Sequence, residues 1–195
     1  MLIHLKRVSL LSIVLTMAAG CVSLHAPVDS TRHYLLNGAD SEQDPMASGP
    51  VIFLSTIELD PYLDTPYMVL RVQKYEIQFS DIHRWGEDLS DNIRRALAKD
   101  LLATGTVSGV VTTASDESDY KLSVQVHRFE GVPPDIAHLA VTWRLFDSQG
   151  RLLHAARHSD RNRGWQFENY GHLAAKLDES LVNLADAISQ RLLAQ

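Results

Sequence analysis

Cysteine is nearly missing from this chain. Cys21 is the single one in 195 residues, so no disulfide can staple the fold, which must be stable on packing alone. Positive charge is also scarce: 18 Lys and Arg stand against 24 Asp and Glu, a formal net charge of −6. That balance argues against nucleic acid as a partner and against broad electrostatic adhesion to anionic lipid. Long apolar runs are absent. The longest, from Val8 to Ala19, falls short of the roughly 18 residues a membrane span needs. Catalytic signatures are missing as well. There is no glycine-rich phosphate loop, no G-x-S-x-G turn and no H-E-x-x-H pair, so the sequence predicts no enzyme and no cofactor. The histidines have no ligand spacing: His154 and His158, four apart in an expected strand, lie about 13 Å apart on one face. Asp116, Glu117 and Asp119 form an acidic turn without the spacing of a calcium loop.

What is present begins at the amino end. His4, Lys6 and Arg7 precede the apolar run, and Ala18-Ala19-Gly20 lead into Cys21. A basic start, a short apolar segment and small residues make a secretory signal peptide. A cysteine directly after the small residues has the form of a bacterial lipobox, in which the thiol takes a lipid and the leader is cut just before it. The expected organisation is therefore a signal peptide over 1–20, a lipidated amino end and tether over 21–48, and one domain over 49–195. Because Lys6 and Arg7 leave with the leader, the remainder is more acidic still. Attachment to a membrane then rests on the acyl chains, of which two or more are needed for stable anchoring.

Within the domain, Val51 to Leu59 reads as a buried strand, and Tyr67 to Phe79 as one long or kinked strand. Tyr34-Leu35-Leu36 offers a short strand inside the tether. Leu89 to Ala103 changes to helical spacing, with Asp88 or Glu87 at its start and Gly105 as its stop. Tyr120, Leu122, Val124 and Val126 alternate with polar residues as a half-buried strand. Leu139 to Phe146 and Arg151 to His158 flank a turn at Asp147-Ser148-Gln149-Gly150. Leu173, Leu177, Leu181, Leu184, Ile188 and Leu192 form one apolar stripe. This order predicts an α+β fold, with a mostly antiparallel sheet and two long helices packed on one face.

Two segments stand out as candidate docking elements. His83-Arg84-Trp85 lies just before the first helix, where a connector is expected to be small and polar. Arg157 to Trp165 is basic on an acidic protein, with Arg161, Arg163 and Trp165 as its candidate contacts. Trp and Arg are favoured at interface hot spots. Either tryptophan can instead plug the edge of the core, and Arg84 can pair with Glu87 or Asp88.

These residues also carry a family resemblance. Tyr34-Leu35-Leu36, the run from Tyr62 through Leu63-Asp64-Thr65 to Pro66, and His83-Arg84-Trp85, together with the lipobox, resemble the PqiC/YmbA family of ABC-type transport auxiliary lipoproteins. The resemblance implies a lipoprotein of the outer membrane that faces the periplasm. It further implies a non-catalytic role beside an MCE (mammalian cell entry) membrane protein in lipid transport between the two membranes. Val22 after the cysteine agrees with release to the outer membrane by the usual sorting rule. The other reading is an assembly or docking lipoprotein of a different periplasmic machine. Self-association into a homo-oligomer is open in both.

Overall fold

A computed structural model of the protein describes residues 29–40, 48–113 and 118–194. The leader, Cys21, and the acidic pair Asp116 and Glu117 lie outside the described residues. The compact unit that carries the fold runs over Thr31–Gln195.

Its elements are β1 (Arg32–Tyr34), β2 (Val51–Leu54), β3 (Glu58–Leu59), a 3-10 turn (Pro61–Leu63), β4 (Tyr67–Gln73) and β5 (Glu76–Trp85). There follow α1 (Leu89–Ala103), β6 (Gly109–Val111), β7 (Tyr120–Val132), β8 (Ile136–Asp147), β9 (Leu152–Arg163) and α2 (Tyr170–Leu192). The class is α+β, as the order of periodicities predicts. The long ladders are antiparallel, β4 with β5 and β7 with β8 with β9. Short parallel ladders complete a mixed sheet.

β7 is the spine. One of its edges pairs with β8 along almost its whole length. The other edge is shared by three shorter parallel partners: β2 at Tyr120 to Leu122, β3 at Gln125 and Val126, and β4 at Gly131. Between Val126 and Arg128 the register shifts by a bulge at His127. The alternation therefore changes phase. Leu122, Val124 and Val126 point to the core before the bulge, and Phe129 does so after it. Glu130 is turned to the opposite face.

The expected single strand over 67–79 is two strands. Lys74 and Tyr75 make a tight turn between them, with Gln73 opposite Glu76. No Gly, Asn, Asp or Pro marks that turn, so the chemistry that signals most hairpins is missing. Continued alternation through an 88% exposed Tyr75 hides it.

Both helical stripes are buried as expected: Leu89, Ile93, Ala96, Leu97 and Leu101 on α1, and Leu173 through Leu192 on α2. Asp88 caps α1 by accepting from the Ser90 backbone N–H at 2.9 Å, and Asn169 caps α2 by accepting from His172 N–H at 3.0 Å. Gly105 ends the first helix at φ +69°, a left-handed conformation that only glycine takes without strain.

The segment before residue 49 also contributes. β1 lies parallel to β5 with Tyr34 opposite Trp85, and Leu36 is buried among the core. Four successive backbone N–H groups are then held by helix side chains. Leu36 donates to Asn92 Oδ1 at 3.0 Å and Ala39 to Asp100 Oδ1 at 2.7 Å, while Asn37 and Gly38 donate to the Asp178 carboxylate. Gly38 is required there. It has φ +63°, and a Cβ would stand 2.7 Å from the Ala96 carbonyl oxygen. Residues 32–39 thus form a strap fastened to the helix layer and to β5.

Candidate docking site

His83, Arg84 and Trp85 are the last three residues of β5, not a loop. The strand fixes each in a different environment. Trp85 points inward, 4% exposed, with its ring 5.6 Å from that of Phe129. Its backbone N–H donates to Pro66 O at 2.7 Å. Trp85 is therefore part of the core. His83 lies flat on Tyr170, with ring centroids 3.9 Å apart and planes 8° from parallel, and its Nδ1 is 2.8 Å from the Tyr34 hydroxyl. Burial, aided by the Arg32 charge, lowers its proton affinity below the usual histidine range.

Arg84 is half-buried, like His83. Its guanidinium sits 4.8 Å from the Tyr67 ring centre. It makes no ion pair with the two acids expected from the sequence. Glu87 is taken by Arg95 at 2.6 Å, and Asp88 by the helix cap. Arg84 Nε is buried without a hydrogen-bond partner among the described residues. Beside Trp85 opens a groove of about 390 Å³, lined by His33, Asp64, Thr65 and Pro66 on one side and Gly86 to Leu89 on the other. The Tyr62–Pro66 turn singled out in the sequence thus forms a wall of the groove that Trp85 floors.

Of the second segment, Arg161 and Arg163 are exposed on β9. Arg163 Nη1 lies 3.5 Å from Asp135, and Arg161 approaches His138. Trp165 is 2% exposed and donates its indole N–H to Asn169 O at 3.0 Å. It belongs with the core and the cap of α2. The two segments are linked through that cap region, since Trp165 holds Asn169 and Tyr170 holds His83.

Sequence reading missed a buried polar cluster on the other side of the sheet. Glu130 is 0% exposed and accepts from Arg71 Nε at 2.5 Å, from Arg128 Nη1 at 2.9 Å and from the Tyr62 hydroxyl at 3.0 Å. Burial and the Glu130 charge raise the Tyr62 hydroxyl above its ordinary value, so it stays a donor. His138, next to Glu130 across the ladder, is lowered to about 4 by burial and by Arg161 and Arg128. The signal was the phase change at the bulge, which a uniform alternation conceals. Among the described residues, no group of three or more His, Cys, Asp or Glu is placed to hold a metal. Nor is any helix among them long and apolar enough to cross a membrane.

A family model described as ABC-type transport auxiliary lipoprotein component matches residues 34–189. Among curated proteins, none matches. The crystal structure of protein XCC0632 from Xanthomonas campestris, a DUF330 protein, is 17% identical, with 83% of this chain and 95% of that chain covered and a TM-score of 0.68. An uncharacterized protein of known structure is 16% identical, over 83% of this chain and 97% of that one, with a TM-score of 0.70. At these identities the likeness is one of fold. The PelC dodecamer from Paraburkholderia phytofirmans is more distant, at 18% identity over 74% of this chain and 92% of that chain, with a TM-score of 0.44.

Proposed function

The chain belongs to the family of ABC-type transport auxiliary lipoprotein components, and from that premise we propose that it is the lipid-anchored, non-catalytic subunit of an MCE-type intermembrane lipid transport system. In this reading Cys21 carries the acyl chains, the domain faces the periplasm from the outer membrane, and it docks on an MCE-domain membrane protein to support envelope integrity. The observation that carries it is the family match over nearly the whole domain, added to the lipobox at Cys21. The groove beside Trp85 and, on the other side of β5, the Arg84 guanidinium over Tyr67 supply two candidate docking elements. Arginine over a tyrosine ring presents a planar donor to a carboxylate or carbonyl at little entropic cost.

Two measurements test the proposal together. Wild-type protein should take an acyl label and fractionate with the outer membrane, while Cys21→Ala should do neither. Crosslinking in native membranes should capture an MCE-domain protein. A Cys21→Ala protein that stays in the membrane, beside a wild type without label, overturns the anchor. Capture of a different envelope machine and no MCE protein overturns the partner.

A further inference from the structure

One face of the sheet is left uncovered by the helices, and it is basic. On β9 the side chains of Asp160 and Asn162 reach α2, through Asn183 at 2.8 Å and Glu179 at 2.9 Å. Strand alternation therefore turns Arg157, Ser159, Arg161 and Arg163 away from the helices, and all four are exposed. The ladder extends this side inward. Arg157 is opposite Thr142, Ser159 opposite Ala140 and Arg161 opposite His138. Ala140 in turn faces Arg128, and Arg144 faces Ser123. Of the acids on these three strands, Asp160 points to the helices, Asp147 is held by Arg151 at the β8–β9 turn, and Glu130 is buried between Arg71 and Arg128. Among the described residues, Arg144, Arg157 and Arg161 have no carboxylate within ion-pair distance. The depressed proton affinity of His138 comes first from burial, with Arg161, Arg128 and Arg71 adding to it against Glu130.

Net acidity argues against adhesion of the molecule as a whole, but charge is unevenly spread. On the helices Arg94, Arg95, Lys99, Lys176 and Arg191 balance Asp91, Asp100, Asp178, Glu179 and Asp186, whereas the outward side of β7, β8 and β9 carries Arg128, Arg144, Arg157, Arg161 and Arg163 against Glu130, with Asp60 and Asp135 at its borders. Protection of the β9 edge explains charge on an edge strand. It does not explain Arg144 on the interior strand β8, whereas Arg128 on β7 answers the buried Glu130. The floor between the arginines is small and hydroxylic, made of Ala140, Ser159 and Thr142, which suits phosphate oxygens held by forked donors. β7, β8 and β9 place no Trp or Tyr on this side, unlike the aromatic-rich centre of a protein interface.

We infer that the uncovered β7–β9 face is an electrostatic docking surface for anionic phospholipid headgroups at the surface of a bilayer. The inference rests on the proposed lipid anchor, which keeps the domain close. Ten residues from Cys21 to Thr31 reach at most about 36 Å, so the face meets the bilayer at high effective concentration. Anchor and basic face then act as two contacts in parallel, and the second sets how the domain lies on the membrane.

The test uses the chain without its leader and with Cys21→Ser, so no acyl group takes part. Co-sedimentation is measured with phosphatidylcholine vesicles and with vesicles containing a quarter phosphatidylglycerol. Binding should favour the anionic vesicles by about tenfold or more, since each cation near such a surface contributes roughly fivefold. It should weaken as salt rises from about 50 to about 300 mM. Arg157→Glu with Arg161→Glu should lose at least about tenfold with an unchanged melting temperature. Arg94→Glu, on the helix layer, should lose little. Equal binding to both vesicles, or no loss in the double variant, overturns the inference. Competition by millimolar inorganic phosphate overturns it in favour of a free-phosphate site, competition by polyglutamate in favour of an acidic protein partner. A changed oligomeric mass in the double variant with unaltered vesicle binding overturns it in favour of a second copy. Because the assayed chain carries no acyl group, its failure leaves the acylation result standing, and a failed acylation leaves this result interpretable.

Discussion

Arg84 and Trp85 are neighbours with opposite roles, because a strand sends consecutive side chains to opposite sides. Trp85 is enclosed by the core and Arg84 lies on Tyr67. Trp85→Ala should cost about 3–5 kcal/mol, the range for large aromatic truncations in a core. Arg84→Ala forfeits one half-buried cation–π contact, about 1 kcal/mol, yet should abolish crosslinking to the envelope partner. Denaturation curves beside the crosslinking assay separate the two, and an Arg84→Ala protein with full capture removes Arg84 from the docking element. Asp100 gives a second residue-scale prediction. Burial raises its carboxyl to about 6, while one oxygen holds the Ala39 N–H and the other has no partner among the described residues. A raised native pKa means that the folded state binds the extra proton. The stabilisation is complete below the ordinary value near 3.8 and is lost as pH rises through about 6. Asp100→Asn keeps the acceptor and removes the charge, with its amide in the field of Asp178 and Asp186. It should stabilise the protein at pH above about 7 by up to about 3 kcal/mol and flatten the stability profile between pH 4 and 6. A mutant profile that keeps the wild-type slope refutes this assignment.

At the scale of elements, the helices are the part of the fold that composition alone makes readable. Leu173, Leu177, Leu181, Leu184, Ile188 and Leu192 are all buried, as a 3.6-residue period requires. Leu181→Ala should lower the unfolding free energy by about 2–5 kcal/mol, and an unchanged denaturation midpoint would show that α2 does not seat its stripe in the core. The strands were less legible for two physical reasons. A bulge at His127 switches which residues face inward, so Phe129 and Glu130 exchange the places that strict alternation assigns them. The Lys74-Tyr75 turn lacks turn residues and merges β4 with β5 on the page of the sequence. The same limits apply to the candidate site. Aromatic and basic crowding does mark His83-Arg84-Trp85 and Arg157 to Trp165, but residue type cannot say which tryptophan faces in. Both do. The basic face was legible only in its Arg157 to Arg163 part, because Arg128 and Arg144 come from two other strands and are aligned with it only by pairing register.

For the whole molecule, the consequential feature is the strap over residues 32–39, which joins the amino end to both layers of the fold. Its N–H groups occupy Asn92 Oδ1 and Asp100 Oδ1, and both of those side chains are buried. Without the strap Asp100 Oδ1 loses its donor, at about 1–3 kcal/mol, whereas Asn92 Oδ1 keeps the Arg95 guanidinium at 2.9 Å. Leu36, 1% exposed, contributes a further 2 kcal/mol or so through its burial, and β5 becomes an open edge along His83 to Trp85. Along the chain the strap meets β5 first, through the β1 ladder, and the helices afterwards, through the bonds of Leu36 to Ala39. Two truncations measure its contribution. A chain starting at Thr31 should melt with the longer protein. A chain starting at Gly49 should lose about 3–5 kcal/mol, a large part of the 5–15 kcal/mol that holds a domain of this size, and should expose His83 and Tyr170 to solvent. Equal melting temperatures for the two would show that residues 32–39 only decorate the surface and that the fold begins at the second strand.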